Sequence, residues 1–267
     1  MTRAMNFRWR AAGGGLLMGV VAMRLLSLSA AAADLDFGGA EFVILSAASG
    51  APIGDVQYTV SPSIAGHQTV TSSARYADGT NDIEHDQFDV SGELPVMVAY
   101  EHTFYRWSGA LFLVTKADFR SGAATCTTYA SGQPNALTQT LEFPSDTYAG
   151  AALMLPMRQA LRHSTNSSIT MHDFVCIPGP RVVKVAAYPQ APDTWDHYPG
   201  NLVRTTIKPD FGLLDFVIAP FLPEMYAWFN PANGFAFVGG RFARYYKGPE
   251  IILTPKRARP GNVATAN

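Results

Sequence analysis

Residues 143–164 read FPSDTYAGAALMLPMRQALRHS, and no other part of the chain has this character. Ser145 or Asp146 suits a helix cap, because either side chain accepts hydrogen bonds from the first free backbone amides. Leu153, Met157, Ala160 and Leu161 recur at helical spacing and form one apolar stripe. Arg158, Arg162 and His163 stand where a helix dipole favours positive charge. Pro156 has no amide hydrogen to give. It is expected to kink the helix or to divide it into a short Gly/Ala-rich turn and a second piece starting near Leu155.

On either side the chain reads as short strands separated by Gly, Pro, Asn and Asp. The clearest is PVMVAYEHTFYRW (95–107). Val96, Val98, Tyr100, His102 and Phe104 alternate there with Met97, Ala99, Glu101 and Thr103, and a period of two sends these sets to opposite faces of a sheet. Before the helix the same manner is seen in EFVILSA (41–47), VQYTVSP (56–62), QFDVSG (87–92), ALFLVTKADF (110–119), ATCTTYAS (124–131) and ALTQTLEF (136–143). After it come SITMHDFVC (168–176), RVVKVAAYP (181–189), NLVRTTIKP (201–209), FGLLDFVIAP (211–220), EMYAWFN (224–230), GFAFVGGRFARYY (234–246) and EIILTP (250–255). PQAPDTWDHYPG (189–200) is too rich in proline for a strand and is expected to be an exposed loop. The expected fold is mainly β: a single antiparallel curved sheet or half-barrel with one kinked amphipathic helix packed on its apolar face.

The first 33 residues stand apart. Arg3, Arg8 and Arg10 precede the apolar run GGGLLMGVVAM, and Ala31-Ala32-Ala33 follows, the pattern of a cleaved signal peptide. The apolar run before Arg24 is too short to span a bilayer. Four arginines and no acid lie in this segment, so its removal moves the net charge from −1 to −5. Residues 34–255 are expected to form a single β-rich domain, and 256–267 a disordered basic tail. An acidic body argues against nucleic acid, which needs a basic face. Localisation is expected to be periplasmic or secreted, with no integral membrane segment after cleavage.

Cys126 and Cys176 are the only cysteines. In an exported chain they read as a disulfide tying together strands that flank the helix. Metal binding lacks the close-spaced pairs of zinc sites.

Chemistry is sparse. There is no Gly-x-Ser-x-Gly, no His-Glu-x-x-His and no phosphate loop. Asp82-Ile83-Glu84-His85-Asp86 is the densest polar cluster, but successive residues of an extended chain point apart, and a solvated turn is expected. His102 and His172 are candidate acid/base residues only if their strands bring them together. Aromatic residues concentrate in the middle and final strands, as the lining of an apolar cavity or as a solid core.

From Pro209 the sequence runs PDFGLLDFVIAPFLPEMYAWFNPANGFAFVGGRFARYYKGPEIILTP. An aromatic strand is followed by the step Gly248-Pro249 and a final strand opening Glu250-Ile251. This resembles the closing strands of exported bacterial proteins of uncharacterised role. The layout is similar to the periplasmic lipoprotein-carrier superfamily, half-barrels whose concave face is covered by helix. The resemblance implies a periplasmic location and an apolar ligand such as an acyl chain, and carries over no catalytic residue.

The leading expectation is therefore a non-catalytic protein binding a lipid or other hydrophobic molecule in a helix-covered β cavity, with no cofactor and no metal. Tyr100, Phe104, Leu153, Met157, Leu161 and Trp228 are the expected ligand contacts. The alternatives are a structural or protein-partner-binding envelope protein without a pocket, and a hydrolase using His102 and His172.

Overall fold

The computed structural model describes Leu35 and residues 41–130, 132–176, 179–210, 225–245 and 248–256. The expected signal peptide, the tail beyond Lys256 and the expected strand 211–220 lie outside the described residues.

The first arm of the fold is a run of eight strands: β1 (Glu41–Ser46), β2 (Pro52–Val60), β3 (His67–Tyr76), β4 (Asn81–Asp89), β5 (Val96–Tyr105), β6 (Leu111–Asp118), β7 (Ala123–Thr128) and β8 (Asn135–Thr140). A two-residue strand, β9 (Thr147–Tyr148), precedes the helix α1 (Met154–His163). The second arm follows as β10 (Ile169–Cys176), β11 (Pro180–Trp195), β12 (Tyr198–Pro209), β13 (Met225–Asn230), β14 (Ala236–Ala243) and β15 (Glu250–Pro255).

All fifteen strands belong to one sheet, in the order β8-β7-β6-β5-β4-β3-β2-β1-β15-β14-β13-β12-β11-β10-β9. Each arm is an antiparallel meander, and the arms join where β1 pairs β15, with Ile44 opposite Leu253. Neighbouring strands twist against one another, so a sheet of this width curls. It curls far enough that β7 and β8 come against β11. The end strands β8 and β9 are not paired with each other. The result is barrel-like but unclosed. Cys126 of β7 and Cys176 of β10 form a disulfide across this seam, their Cα atoms 5.8 Å apart. The bridge thus does more than flank the helix: it staples the two ends of the sheet.

Pro156 divides the central segment as expected, into a 3-10 turn (Gly150–Leu153) and α1. Proline falls in the first turn of α1, where its missing amide costs no intrahelical bond. The apolar stripe faces inward, with Met157 and Leu161 fully buried and Leu153 and Leu155 nearly so. Arg158 and Arg162 each donate from Nε to the carbonyl of Gly234, at 3.1 Å. Gly234 has φ of 55° and closes the 3-10 turn between β13 and β14. The C-terminal half of the helix is thereby tied to the β13–β14 turn.

The expected caps differ. Neither the 3-10 turn nor α1 has a side-chain cap of its own. Asp146 instead accepts from His172 Nδ1 at 2.7 Å, which aligns β9 beside β10.

The stretch 189–200 is not a loop. It forms the tip of the long β11–β12 hairpin, with register shifts between Gln190 and Asp193 and between Asp193 and Trp195. Such irregularities leave positions without a ladder bond, where proline is tolerated. The tip is anchored on the outer sheet face: Trp195 stacks on Trp228 at 4.5 Å, and Trp228 Nε1 donates to Asp193. Gly239 makes room, since a Cβ there would lie 2.4 Å from the Trp195 ring.

At one rim Arg244 reaches from the end of β14 to the β3–β4 turn, donating to Asp78 Oδ2 at 3.0 Å and to Thr80. Its guanidinium lies 3.4 Å over the Tyr76 ring. Four strands separate β14 from β4 along the sheet, so this contact ties the arms together at that rim.

Candidate functional site

The polar run 82–86 is a strand, not a solvated turn. It lies within β4, and the period of two turns Asp82, Glu84, Asp86 and Phe88 to one face. Phe88 is fully buried and Asp86 nearly so, which makes this the inner face. Opposite on β5 stand Phe104, His102 and Tyr100. Asp173 arrives from β10 in the other arm and acts on both Glu84 and Tyr100. Tyr58 of β2, half-buried, stands beside Glu84 and Asp86. Three carboxylates are thus gathered at one place on the inner face, each with an oxygen buried from solvent.

Their surroundings set their charge. Asp173 is pushed up to about 8, by burial first and then by Glu84. Burial also raises Asp86 well above the usual carboxylate range, with Glu84 adding to it. Glu84 is raised by burial, against the pull of His102, the Ala151 amide and the Ser72 hydroxyl. Burial works against a charge on His102, but its hydrogen bond to Asp82, at 3.3 Å, and the charge of Glu84 outweigh this and raise its pKa. Glu84 Oε1, Asp86 Oδ1 and Asp173 Oδ1 are buried without a hydrogen-bond partner. A carboxylate oxygen so placed resists ionisation, because a charge there lacks the hydrogen bonds that water would give it.

Glu84 also explains the uncapped helix. The backbone amide of Ala151, in the 3-10 turn, is directed at its carboxylate. The turn is pressed so close that a Cβ on Gly150 would lie 1.9 Å from Glu84 Oε1. The acid at this end of the helical segment comes from a strand 66 residues upstream, where its carboxyl accepts from a backbone amide that a helical turn leaves free.

The sign of the pH dependence follows. In the unfolded chain Asp173 loses its proton near pH 4, whereas in the fold it keeps it to about 8. Between these values the folded state binds more protons, so stability falls as pH rises, by about 1.4 kcal/mol per unit for each such group. His102, raised in the fold, acts in the same sense above its ordinary value. Urea midpoints measured between pH 5 and 8 are therefore expected to decline steadily, and a flat or rising profile contradicts this account of the cluster.

The residues read from sequence divide into three places. Leu153, Met157, Leu161 and Tyr100 share the continuous inner core. Phe104 lies near the rim, edge-on to Phe112 and under Arg244. Trp228 is on the outer face, in the small cluster with Leu202 and Val238. His102 and His172 have separate partners, Asp82 and Asp146, so the structure shows no acid/base pair between them. Among the described residues no three His, Cys, Asp or Glu side chains converge where a metal ion would sit.

A groove of about 520 Å³ runs along the unclosed seam, lined by Leu137 and Gln139 of β8 and by Gly179, Pro180, Arg181 and Val182. Arg181 is its one charged residue. No described helix is long and apolar enough to cross a membrane.

No family model matches the chain, and no curated protein matches it. It is similar to a solved structure described as a β-barrel-like protein of domain of unknown function DUF1849 from Brucella abortus. The similarity covers 82% of this chain and 94% of that one, at 10% identity and a TM-score of 0.46.

Proposed function

We propose that this chain is an exported, non-catalytic binding protein for an amphipathic molecule with an apolar chain and an anionic head. The observation that carries the reading is the seam groove. Its volume of about 520 Å³ lies in the range of small-ligand sites. Leu137, Pro180 and Val182 offer it apolar surface, and Arg181 offers charge for the head. The stripe of Leu153, Met157 and Leu161 belongs with Tyr100 to the continuous apolar interior. A disulfide fits an oxidising compartment, and with the character of residues 1–33 it supports export to the periplasm. The resemblance to the lipoprotein carriers agrees with both parts.

The test is native mass spectrometry of protein purified from a bacterial periplasm, followed by lipid extraction and titration with a fluorescent fatty acid. The expected result is a co-purified apolar molecule and uptake of the probe. Leu137→Asp and Arg181→Glu should each weaken uptake on the order of tenfold, the loss of about 1.4 kcal/mol of contact. An empty protein that takes up no probe sinks the reading.

One observation favours a second reading, a protein partner. All six residues of β8 are exposed, and the strand is an uncharged edge of the sheet. Such an edge is a template for an added strand. Retention of a peptide in place of a lipid in the same preparation decides for it.

A further inference from the structure

Resting on the ligand reading above, the geometry points to a regulation of that same site: we propose that the segment Gly150–His163 is a plug latched by the uncharged carboxyl cluster of Glu84, Asp86 and Asp173, and that it leaves when the cluster ionises.

Three observations meet at one place. The segment is seated directly on Glu84, with Gly150 allowing no side chain between them. Three carboxylate oxygens of the cluster are buried without partners. The groups come from both arms of the unclosed sheet, β4 and β10, and the segment meets both, Gly150 against Glu84 of β4 and its 3-10 turn and helix against β10. An ordinary core has no use for three acids at such a junction, since apolar residues of like volume fill it at lower cost.

The groups that face the cluster are few. Tyr58 comes from β2, Tyr76 from β3, Asp82 from β4, Tyr100 and His102 from β5. His102 is the basic group that bears on Glu84, and it is itself paired with Asp82. The plug's own Arg158 and Arg162 are turned to Gly234, and Asp146 is paired with His172 beside β9. With the acids neutral, the turn packs on them as on any hydrogen-bonding surface. A proton lost from Glu84 or Asp173 leaves like charges close together in a dry interior. Moving the plug outward lets water in and relieves them. The latch is shut in acid and opens in alkali.

Hydrogen-exchange mass spectrometry of the mature protein without ligand tests this, corrected for the intrinsic pH dependence of amide exchange. Between about pH 6 and about pH 8.5, opening of residues 150–163 should increase on the order of tenfold for each pH unit in which one cluster proton is lost. Strands β1 and β15 should keep their protection over the same range. Asp173→Asn, and the combined Glu84→Gln, Asp86→Asn, Asp173→Asn variant, should flatten the response; near-ultraviolet circular dichroism at the lower pH establishes that each is folded. If the combined variant does not fold, the single Asp173→Asn variant carries the comparison.

Exchange in the plug that does not change with pH, or that changes equally in the variants, overturns the latch. Fatty-acid uptake is measured separately on the same samples. Opening without uptake at either pH overturns the ligand reading and upholds the latch. Uptake without pH-dependent opening does the reverse.

Discussion

Replacing Cys126 and Cys176 together by serine lowers the unfolding free energy by about 4 kcal/mol, the entropy regained by the denatured chain when a cross-link is removed from a loop of this size. The bridge spans 50 residues, and the loop it closes contains β8, β9 and α1. A second effect adds to the first. The bridged strands sit at opposite ends of a sheet that has no ladder bond across its seam. Each bridged strand lies next to an edge strand, and without the bridge the packing of β7 and β8 against β11 must hold the curl by itself. Urea unfolding of the oxidised protein and the double-serine variant measures the difference. A loss below about 1 kcal/mol means that the curl is held by side-chain packing and that the staple is incidental.

Gly150→Ala is the second large effect. Gly150 has φ of 53°, a conformation in which a side chain costs roughly 1–2 kcal/mol. The new methyl would also meet Glu84 Oε1 at 1.9 Å and Cδ at 2.8 Å. Glu84 Oε1 is itself buried, so overpacking adds about 1–3 kcal/mol. The expected total is about 3 kcal/mol. A double-mutant cycle separates the two causes. In the Glu84→Ala background the steric part disappears and the backbone part remains, so the same substitution should cost about 1–2 kcal/mol. Equal costs in both backgrounds would mean that Glu84 does not press on the turn.

Much of the architecture can be read from local pattern. The alternation from Val96 to Phe104 sends Tyr100, His102 and Phe104 to the inner face of β5, opposite Asp86, Glu84 and Asp82. Pro156 and the spacing of Leu153, Met157 and Leu161 mark a two-part helix with a buried stripe. The acid cluster was hidden by its own composition. Five residues of which four are polar suggest solvent, yet Asp82, Glu84 and Asp86 stand in register with Phe88, and it is that row, carried to an aromatic residue, which marks the inward face. Asp146 misleads for a different reason. It has the chemistry of a cap, but the acid at the helical segment is Glu84, and no local window can show a contact between residues so far apart. The hairpin tip at 189–200 is ordered by Trp195 finding Trp228 and Gly239, again partners from distant strands. What is legible is what depends on neighbours in the chain; the site depends on where the sheet curls.

The junction of β1 with β15 has a consequence for how the molecule is made. Each arm is a succession of hairpins whose contacts are close in sequence, and such contacts form quickly. The pairing of Ile44 with Leu253 joins nearly the whole described chain into one circuit, and no earlier strand stands in for it. During synthesis the two meanders can take shape separately, but β1 waits for the last strand to emerge. β15 is the keystone: until Glu250–Pro255 is in place, the buried acids of the first arm and Asp173 of the second have no common interior to share. The chain therefore stays open to proteases until its final strand is delivered, and becomes one body in a single late step.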